Sequence, residues 1–334
     1  MRSLSRTALE FTYWLAHRMS VERVSSVGSL IGRTVGGRTR RNMRALANIA
    51  AALPQTTPAE RAVIVRDMWD NFGRTVAETA LIDRIAADPS RITLINPALL
   101  DGCGADGRGT VFVGLHFGNW EIMSVPLLRM NLTPMCVYRP LADKEANDLL
   151  LQHRSPLCPC GLFPTSRATM LKLARHVRTG GEICIAADHR DSNGLSVPFF
   201  GRPAPSVALP AALGVRYGAR VIAVRVERLP KARFAVTLER IAIADTGDVN
   251  ADTLTTTATI QTVFEGWIKA DPGRWLWFYK RWSEVDVIPA RKRGNSRWWK
   301  RAHAVPDRGG HSVSPVSAAP VAALVPALAE GKVV

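Results

Sequence analysis

Short apolar runs alternate with segments of helical periodicity from residue 110 to residue 269. Five runs predict strands, at 110–115, 134–138, 183–187, 220–226 and 234–241. Five segments predict helices, at 119–130, 143–153, 167–178, 206–217 and 256–269. Short buried strands separated by helices are typical of parallel sheets whose crossovers cover both faces. The alternation therefore predicts an α/β fold with a central, mostly parallel sheet flanked by helices.

Extensions precede and follow this domain, which we place at residues 57–300. Thr57-Pro58-Ala59-Glu60 has the spacing of a capping box with proline at the first helical position, and it predicts a long helix to about Ile82. The inward positions of this helix are predicted to be Val63, Val65, Met68, Trp69 and Phe72. Residues 301–334 are rich in Pro, Ala, Ser and Val and carry little charge, so this tail is predicted to be disordered.

Residues 1–56 form a basic, amphipathic N-terminal helical extension. The first fifty residues contain nine arginines and two glutamates. Apolar residues recur there at helical spacing beside Trp14, namely Leu4, Ala8, Phe11, Leu15 and Met19. The uncharged runs are shorter than the roughly 20 residues that span a bilayer. A helix lying in the membrane interface and a helix packed on the domain's own core both fit this pattern.

The chain is strongly basic, with 44 Lys+Arg against 28 Asp+Glu and a net charge of +16. This charge favours an anionic partner: nucleic acid, anionic lipid headgroups or an acidic carrier protein. Residues 274–301 interleave aromatic and basic residues, a composition that also occurs in single-stranded nucleic-acid binders. We interpret this run as membrane-interfacial and expect no nucleic-acid partner. The five cysteines have no paired metal-type spacing, so reduced thiols and no metal site are expected.

The hexapeptide His116-Phe117-Gly118-Asn119-Trp120-Glu121 directly follows the predicted strand 110–115. A histidine and a carboxylate at the carboxyl end of a buried strand form an acid/base pair where open α/β sheets keep their chemistry. If Gly118 turns the chain and Asn119 caps a helix, Glu121 lies in the first turn. From there its carboxylate is expected to reach back to the imidazole. A helix-start glutamate with a merely packed histidine would produce the same spacing.

Asp188 directly follows the predicted strand 183–187, so it is expected at the same edge of the sheet as His116. An aspartate at a strand end is often only a turn or helix cap. Its coincidence with His116 at one edge favours a functional role. The sequence leaves open whether Glu121 or Asp188 contacts His116.

Several other blocks accompany the hexapeptide. They are Trp69-Asp70-Asn71-Phe72-Gly73-Arg74 with Glu78, Val137-Tyr138-Arg139-Pro140-Leu141, Gly180-Gly181-Glu182 leading into 183–189, 197–204 and 275–282. In this order and at these separations, residues from about 40 to 282 resemble the late, lauroyl/myristoyl-type acyltransferases of lipid A biosynthesis. That family lies within the His-x4-Asp/Glu glycerolipid acyltransferase superfamily.

The resemblance implies an enzyme that moves a fatty acyl group from acyl carrier protein to a hydroxyl of a lipid A precursor. His116 would be the general base, with Glu121 and Asp188 as its catalytic carboxylates. Residues expected to bind substrate are Asn119, Arg139, Arg167 and Arg190. No cofactor and no metal are expected. The implied location is the cytoplasmic face of the bacterial inner membrane, without a spanning helix.

Two other classes remain compatible with the sequence. One is an acyltransferase of the same superfamily acting on another glycolipid or on a lysophospholipid. The other is a non-enzymatic basic protein that binds membrane or nucleic acid. Neither the donor chain length nor the acylated hydroxyl is specified by these residues.

Overall fold

The computed structural model describes residues 6–282, with side chains from Glu10 onward. The helices are α1 (Arg6–His17), α2 (Val21–Ile31), α3 (Arg40–Ala52), α4 (Pro58–Thr79), α5 (Ile82–Ala87), α6 (Val125–Arg129), α7 (Lys144–Arg154), α8 (Arg167–Arg178), α9 (Leu209–Tyr217) and α10 (Val249–Ala270). The strands are β1 (Ile92–Ile95), β2 (Thr110–Gly114), β3 (Met135–Tyr138), β4 (Leu162–Pro164), β5 (Glu182–Ala186), β6 (Leu195–Phe199), β7 (Arg202–Ser206), β8 (Arg220–Leu229) and β9 (Arg233–Arg240).

A seven-stranded sheet with the order β1-β9-β8-β2-β5-β3-β4 forms the centre of the domain. Strands β8, β2, β5, β3 and β4 run parallel to one another. Strand β9 is antiparallel to β8, and β1 is parallel to β9. Strands β6 and β7 form a separate antiparallel pair. The prediction of a mostly parallel central sheet is confirmed.

Both faces of the sheet are covered by helices, because its central strand is apolar on both sides. All five residues of β2 are buried. Val111 and Val113 pack in a cluster with apolar residues of α4, α8, α9 and α10. Phe112 points the other way, into a cluster with α2, α5 and α6. This two-sided burial is the reason that the strand reads as a continuous apolar run.

The prediction of one continuous helix over 119–130 is wrong. After β2 the chain makes a 3-10 turn at Trp120–Ile122, and α6 begins only at Val125. Pro126 lies in the first turn of α6, where its missing N–H costs nothing, whereas inside a continuous helix it would break a hydrogen bond. The sequence also missed four short strands: β1, β4, β6 and β7.

Helix α4 begins as predicted, with Thr57 and Glu60 forming the complete capping box. It ends at Thr79, and a separate short helix, α5, follows. Val65, Met68 and Trp69 are buried as expected, but the side chain of Val63 is 46% exposed, so its predicted burial is wrong. The buried face of α4 matters for function because it supports the loop that follows β2.

The N-terminal helices differ in how they pack. Helix α2 crosses α4 at backbone contact, since a Cβ on Gly28 would lie 2.3 Å from the carbonyl oxygen of Gly73. Helix α1 instead presents Phe11, Trp14 and Leu15 to the surface, at 61%, 51% and 46% exposure. These three apolar side chains of α1 therefore face outward and do not pack on the core. Within residues 6–282, none of the helices combines the length and apolarity needed to cross a membrane.

The aromatic run near the end of the described chain lies in the core. Trp275, Trp277 and Trp282 are buried, and their rings pack against Phe199 and Phe200. The expectation that these tryptophans lie at a membrane interface is therefore wrong. Trp298, Trp299 and the predicted disordered tail lie outside the described residues. All five cysteines are free, as expected.

Candidate active site

Two neighbouring parallel strands bring His116 and Asp188 together. Gly114 at the end of β2 is in register with Ala186 at the end of β5, and each candidate residue follows its strand end by two positions. The His116 Nδ1 atom lies 2.8 Å from the Asp188 Oδ1 atom. The Oδ2 atom accepts hydrogen bonds from the His116 backbone N–H at 2.9 Å and from the Trp275 indole N–H at 2.8 Å. Asp188 is fully buried and held by three donors.

The charges of this pair stabilise each other. Burial raises the pKa of the Asp188 carboxyl, but the charge and hydrogen bonds of His116 outweigh burial, so the pKa lies well below its usual range. Burial lowers the pKa of His116, whereas the Asp188 charge and hydrogen bond prevail and raise it above its ordinary value. Because the carboxylate accepts the Nδ1 proton, Nε2 is the nitrogen left to accept another proton. The His116 side chain is 23% exposed.

Two aromatic rings flank the imidazole. The Trp120 ring centroid lies 5.5 Å from that of His116, and the Tyr279 centroid lies 5.3 Å away, both edge-on. Burial, followed by the Asp188 charge, raises the pKa of Tyr279, so this phenol stays neutral at physiological pH. The two rings cover part of the imidazole, whose side chain stays 23% exposed.

Glu121 does not make the contact that the sequence predicted. Its carboxylate accepts hydrogen bonds from Arg154 Nε at 2.5 Å, from Arg154 Nη2, and from the Trp120 indole N–H at 2.8 Å. The 3-10 turn directs Glu121 toward the end of α7, where the planar guanidinium binds it through two donors. The expected reach to the imidazole is thus corrected: Asp188 contacts His116, and Glu121 pairs with Arg154.

Sequence reasoning missed Arg154, because nothing distinguishes it from the many other arginines of this basic chain. It is the last residue of α7, a position where cations are favoured by the helix dipole whatever their role. Only the folded chain, which brings α7 against the turn after β2, identifies it as the partner of Glu121.

Asn119 lies in the same turn and is buried. Its amide donates to Glu78 Oε2 at 2.8 Å, and its carbonyl oxygen accepts from the Glu121 backbone N–H at 3.1 Å. Both polar ends of the side chain are thus engaged within the protein. The backbone N–H of the preceding Gly118 donates to the Arg274 carbonyl at 3.2 Å.

The three arginines expected to bind substrate are exposed at the surface. Arg139 directly follows β3, Arg167 follows β4 and opens α8, and Arg190 follows β5. These strands are parallel, so all three arginines lie at the carboxyl edge of the sheet, where His116 lies. The charge of Arg139 acts on both Tyr279 and His189. This edge is therefore basic around the His116–Asp188 pair.

Comparison with known proteins agrees with this geometry. The sequence profile of the family described as bacterial lipid A biosynthesis acyltransferase matches residues 8–284. Phosphatidylinositol mannoside acyltransferases from two strains of Mycobacterium tuberculosis are 25% identical over 236 residues, which cover 66% of this chain and 73% of theirs. The chain belongs to the bacterial lipid A biosynthesis acyltransferase family, and it is an enzyme of acyl transfer.

Proposed function

We propose that the enzyme transfers a fatty acyl group from an acyl carrier protein thioester to a hydroxyl of a lipid A precursor, with His116 as general base. The observation that carries the proposal is the His116–Asp188 pair at the carboxyl edge of the sheet, where Nε2 is left to accept a proton. A buried carboxylate that fixes the tautomer and stabilises the imidazolium is the arrangement that acyl-transfer sites use to activate a hydroxyl.

In the proposed reaction, His116 Nε2 takes the proton of the acceptor hydroxyl as its oxygen attacks the thioester carbonyl. The tetrahedral intermediate then collapses, the carbon–sulfur bond breaks, and the imidazolium returns the proton to the leaving thiol. Positioned proton transfer of this kind contributes roughly 10²–10⁴-fold to the rate. The oxyanion needs donors that the fold has not already used. Gly118 N–H is bonded to Arg274, and Arg154 gives Nε and Nη2 to Glu121, so we assign this role to the Nη1 group and the positive charge of Arg154.

The donor assignment rests on charge. Acyl carrier proteins are acidic, and the exposed Arg139, Arg167 and Arg190 surround the proposed catalytic pair. Long-range attraction between such surfaces speeds encounter and orients the partner. The same guanidinium groups also match the phosphates of a lipid A headgroup, which they would bind through two hydrogen bonds each.

The acceptor has one named competitor. The mycobacterial relatives carry the name of a mannoside acyltransferase, which favours a mannosylated phosphoinositide as the second candidate. Both acceptors are anionic glycolipids with free hydroxyls, so the basic edge suits either. The family profile favours the lipid A precursor.

We place the enzyme at the cytoplasmic face of the bacterial inner membrane, with α1 in the interface. The support is the outward apolar face of Phe11, Trp14 and Leu15 in an arginine-rich segment. Each basic residue near an anionic surface contributes roughly 1 kcal/mol. Replacing these three side chains by serine should reduce co-sedimentation with vesicles containing phosphatidylglycerol at least tenfold. Unchanged binding would contradict this placement.

The test of the function is a transfer assay with purified protein, lauroyl-acyl carrier protein and a tetra-acylated lipid A precursor. Acylated precursor should form with the wild type and not with His116→Ala as the matched control. Parallel reactions replace the donor by lauroyl-coenzyme A and the acceptor by a phosphatidylinositol mannoside. Faster turnover with either replacement would overturn the corresponding half of the proposal.

A further inference from the structure

A second buried charge pair lies beneath the turn that carries His116 and Glu121. Glu78 of α4 is fully buried and pairs with Arg228 of β8, whose side chain is 6% exposed, at 2.5 Å. Glu78 also accepts the amide of Asn119 at 2.8 Å. The pair thus contacts the turn directly, although neither charge reaches the imidazole.

The guanidinium of Arg228 uses its other donors to fix two further side chains of α4. Its Nε donates to Asn71 Oδ1 and its Nη2 to Thr75 Oγ1, both at 2.9 Å. Asn71 and Thr75 in turn donate to the carbonyl oxygen of Gly118, at 2.9 and 3.0 Å. Both ends of the turn, Gly118 and Asn119, are therefore held by groups that the Arg228–Glu78 pair orients.

The Gly118–Asn119 turn packs closely against β8 at Gly118. Gly118 has a φ of +56°, and a Cβ at this position would lie 1.8 Å from the carbonyl oxygen of Val226 on β8. A left-handed residue pressed against a neighbouring strand needs glycine for both reasons. The hydrogen bonds from Asn71 and Thr75 to the Gly118 carbonyl hold the turn in this close approach.

The direction of each hydrogen bond in this network is fixed, because Arg228 can only donate and Glu78 can only accept. A guanidinium only donates, so Asn71 and Thr75 must accept from Arg228 and donate onward to Gly118. A carboxylate only accepts, so Asn119 must turn its amide N–H toward Glu78 and its carbonyl oxygen toward the Glu121 N–H. The charges thereby determine the orientation of every side chain between them and the catalytic turn.

We propose that Arg228 and Glu78 are positioning residues for acyl transfer, which hold the Gly118–Asn119 turn so that His116 meets Asp188 and Glu121 meets Arg154. This rests on the proposed role of His116. A buried ion pair gains little stability over well-packed apolar residues, because desolvation offsets the attraction. Its directional constraint on the turn is what an apolar replacement would lack.

Glu78→Gln tests the direction of the network with a nearly isosteric change. With its oxygen kept toward Arg228, the new amide presents N–H groups to Asn119, which must flip and then loses its bond to the Glu121 N–H. We expect kcat to fall at least about tenfold, since misplacement by about 1 Å costs up to 10²-fold. The KM for lauroyl-acyl carrier protein should change less than about twofold, because the donor surface is untouched.

The compensating change is Asn119→Asp in the Glu78→Gln background. A carboxylate at position 119 accepts both from the new amide and from the Glu121 N–H, so the pattern of donors and acceptors is restored with the charge moved by one side chain. The double variant should recover kcat to within about threefold of wild type, as expected when complementarity is regained. Asn119→Asp alone places two carboxylates together and should be impaired.

A spectroscopic signal separates positioning from general stability. In protein labelled with ¹⁵N-histidine, the Nδ1 proton of His116 in its bond to Asp188 gives a resonance that is assigned by its loss in His116→Ala. It should shift or broaden in Glu78→Gln and return in the double variant. If the single variant fails to fold, Thr75→Val takes its place, because it removes one donor to Gly118 and leaves both charges.

The outcomes decide between the two proposals. A folded Glu78→Gln variant with wild-type kcat and an unchanged Nδ1 signal overturns the positioning role, as does a double variant that fails to recover. If the wild type transfers no acyl group to the lipid A precursor, the proposed function fails while the Nδ1 signal still reports on the network.

Discussion

Two buried acid–base pairs border the turn after β2. They differ in their basic group, an imidazole or a guanidinium, and in its exposure to solvent. His116–Asp188 contains an imidazole whose pKa Asp188 raises above its ordinary value, and 23% of the histidine side chain is exposed. Arg228–Glu78 joins a guanidinium and a carboxylate and is closed to solvent, at 6% and 0% exposure. An imidazole that solvent can reach can take up and release a proton, so the His116–Asp188 pair is suited to acid–base chemistry. The enclosed Arg228–Glu78 pair is suited to holding its neighbouring side chains in position.

The largest expected effect on the rate is at the His116–Asp188 pair. His116→Ala should lower acyl transfer by about 10²-fold or more, because it removes the group that takes the hydroxyl proton. The melting temperature should change little, since the imidazole is partly exposed and Asp188 keeps two donors, the backbone N–H of residue 116 and the Trp275 indole N–H. The check is the initial rate of transfer from lauroyl-acyl carrier protein. A well-folded variant that retains more than about a tenth of the wild-type rate would remove His116 from the mechanism.

Asp188→Asn should reduce the rate by about 10²-fold and also move its pH dependence. The base works as neutral imidazole, and Asp188 raises the pKa of His116, so wild-type activity should increase with pH through a value above the ordinary 6.5. Without the charge of Asp188, burial is the largest remaining influence and lowers that pKa. The acid limb of the kcat/KM profile should therefore move to lower pH while its plateau falls. An acid limb at the wild-type position would show that Asp188 does not set the pKa of the base.

The Glu121–Arg154 pair combines features of both, because it joins a guanidinium and a carboxylate, as Arg228–Glu78 does, while its guanidinium is 23% exposed, as His116 is. Arg154→Met should lower kcat about tenfold and destabilise the fold by about 1–3 kcal/mol, because it leaves Glu121 buried without its main donors. Adding Glu121→Gln removes the stranded charge and should restore part of the stability but not the rate. Thermal melts and initial rates measure the two effects. Equal recovery of both would mean that the pair is only structural.

The parts of the fold that the sequence predicted are those with a strong local signal. The predicted strands β2, β5 and β8 are mostly buried apolar runs, and β9 alternates between buried and more exposed positions. The four-residue β3 is half-buried and is identified by its apolar residues between two helical segments. The missed β6–β7 pair contains Pro198, Pro203 and Pro205, which normally argue against a strand. The missed β1 and β4 are edge strands of three or four residues. Elements this short are formed by their neighbours, so their own residues carry little signal.

The site divides in the same way. The meeting of His116 and Asp188 follows from two buried strands that end at one edge, which the sequence indicates. The choice between Glu121 and Asp188 depends on the path of the turn, and that path is determined by Asn71 and Thr75 of α4 and by the close approach of Gly118 to β8. Contacts between residues more than 30 positions apart have no local signature. For the same reason Arg154 and Arg228 stayed hidden among the other arginines.

The smallest expected effect concerns charges that belong to neither buried pair. Arg139 and Arg190 are exposed at the carboxyl edge, so their attraction for an acidic carrier protein acts through water and is screened by salt. Arg139→Glu and Arg190→Glu should each raise the donor KM a few-fold, flatten its dependence on ionic strength and leave kcat unchanged, because encounter is slowed while the catalytic turn is intact. Arg178→Glu, at the end of α8 and four residues before β5, is the matched exposed control at the opposite end of the sheet. If the reversals at the carboxyl edge alter the donor KM no more than this control, or if lauroyl-coenzyme A is as good a donor, the arginines do not dock a carrier protein. Their charge would then serve the lipid surface.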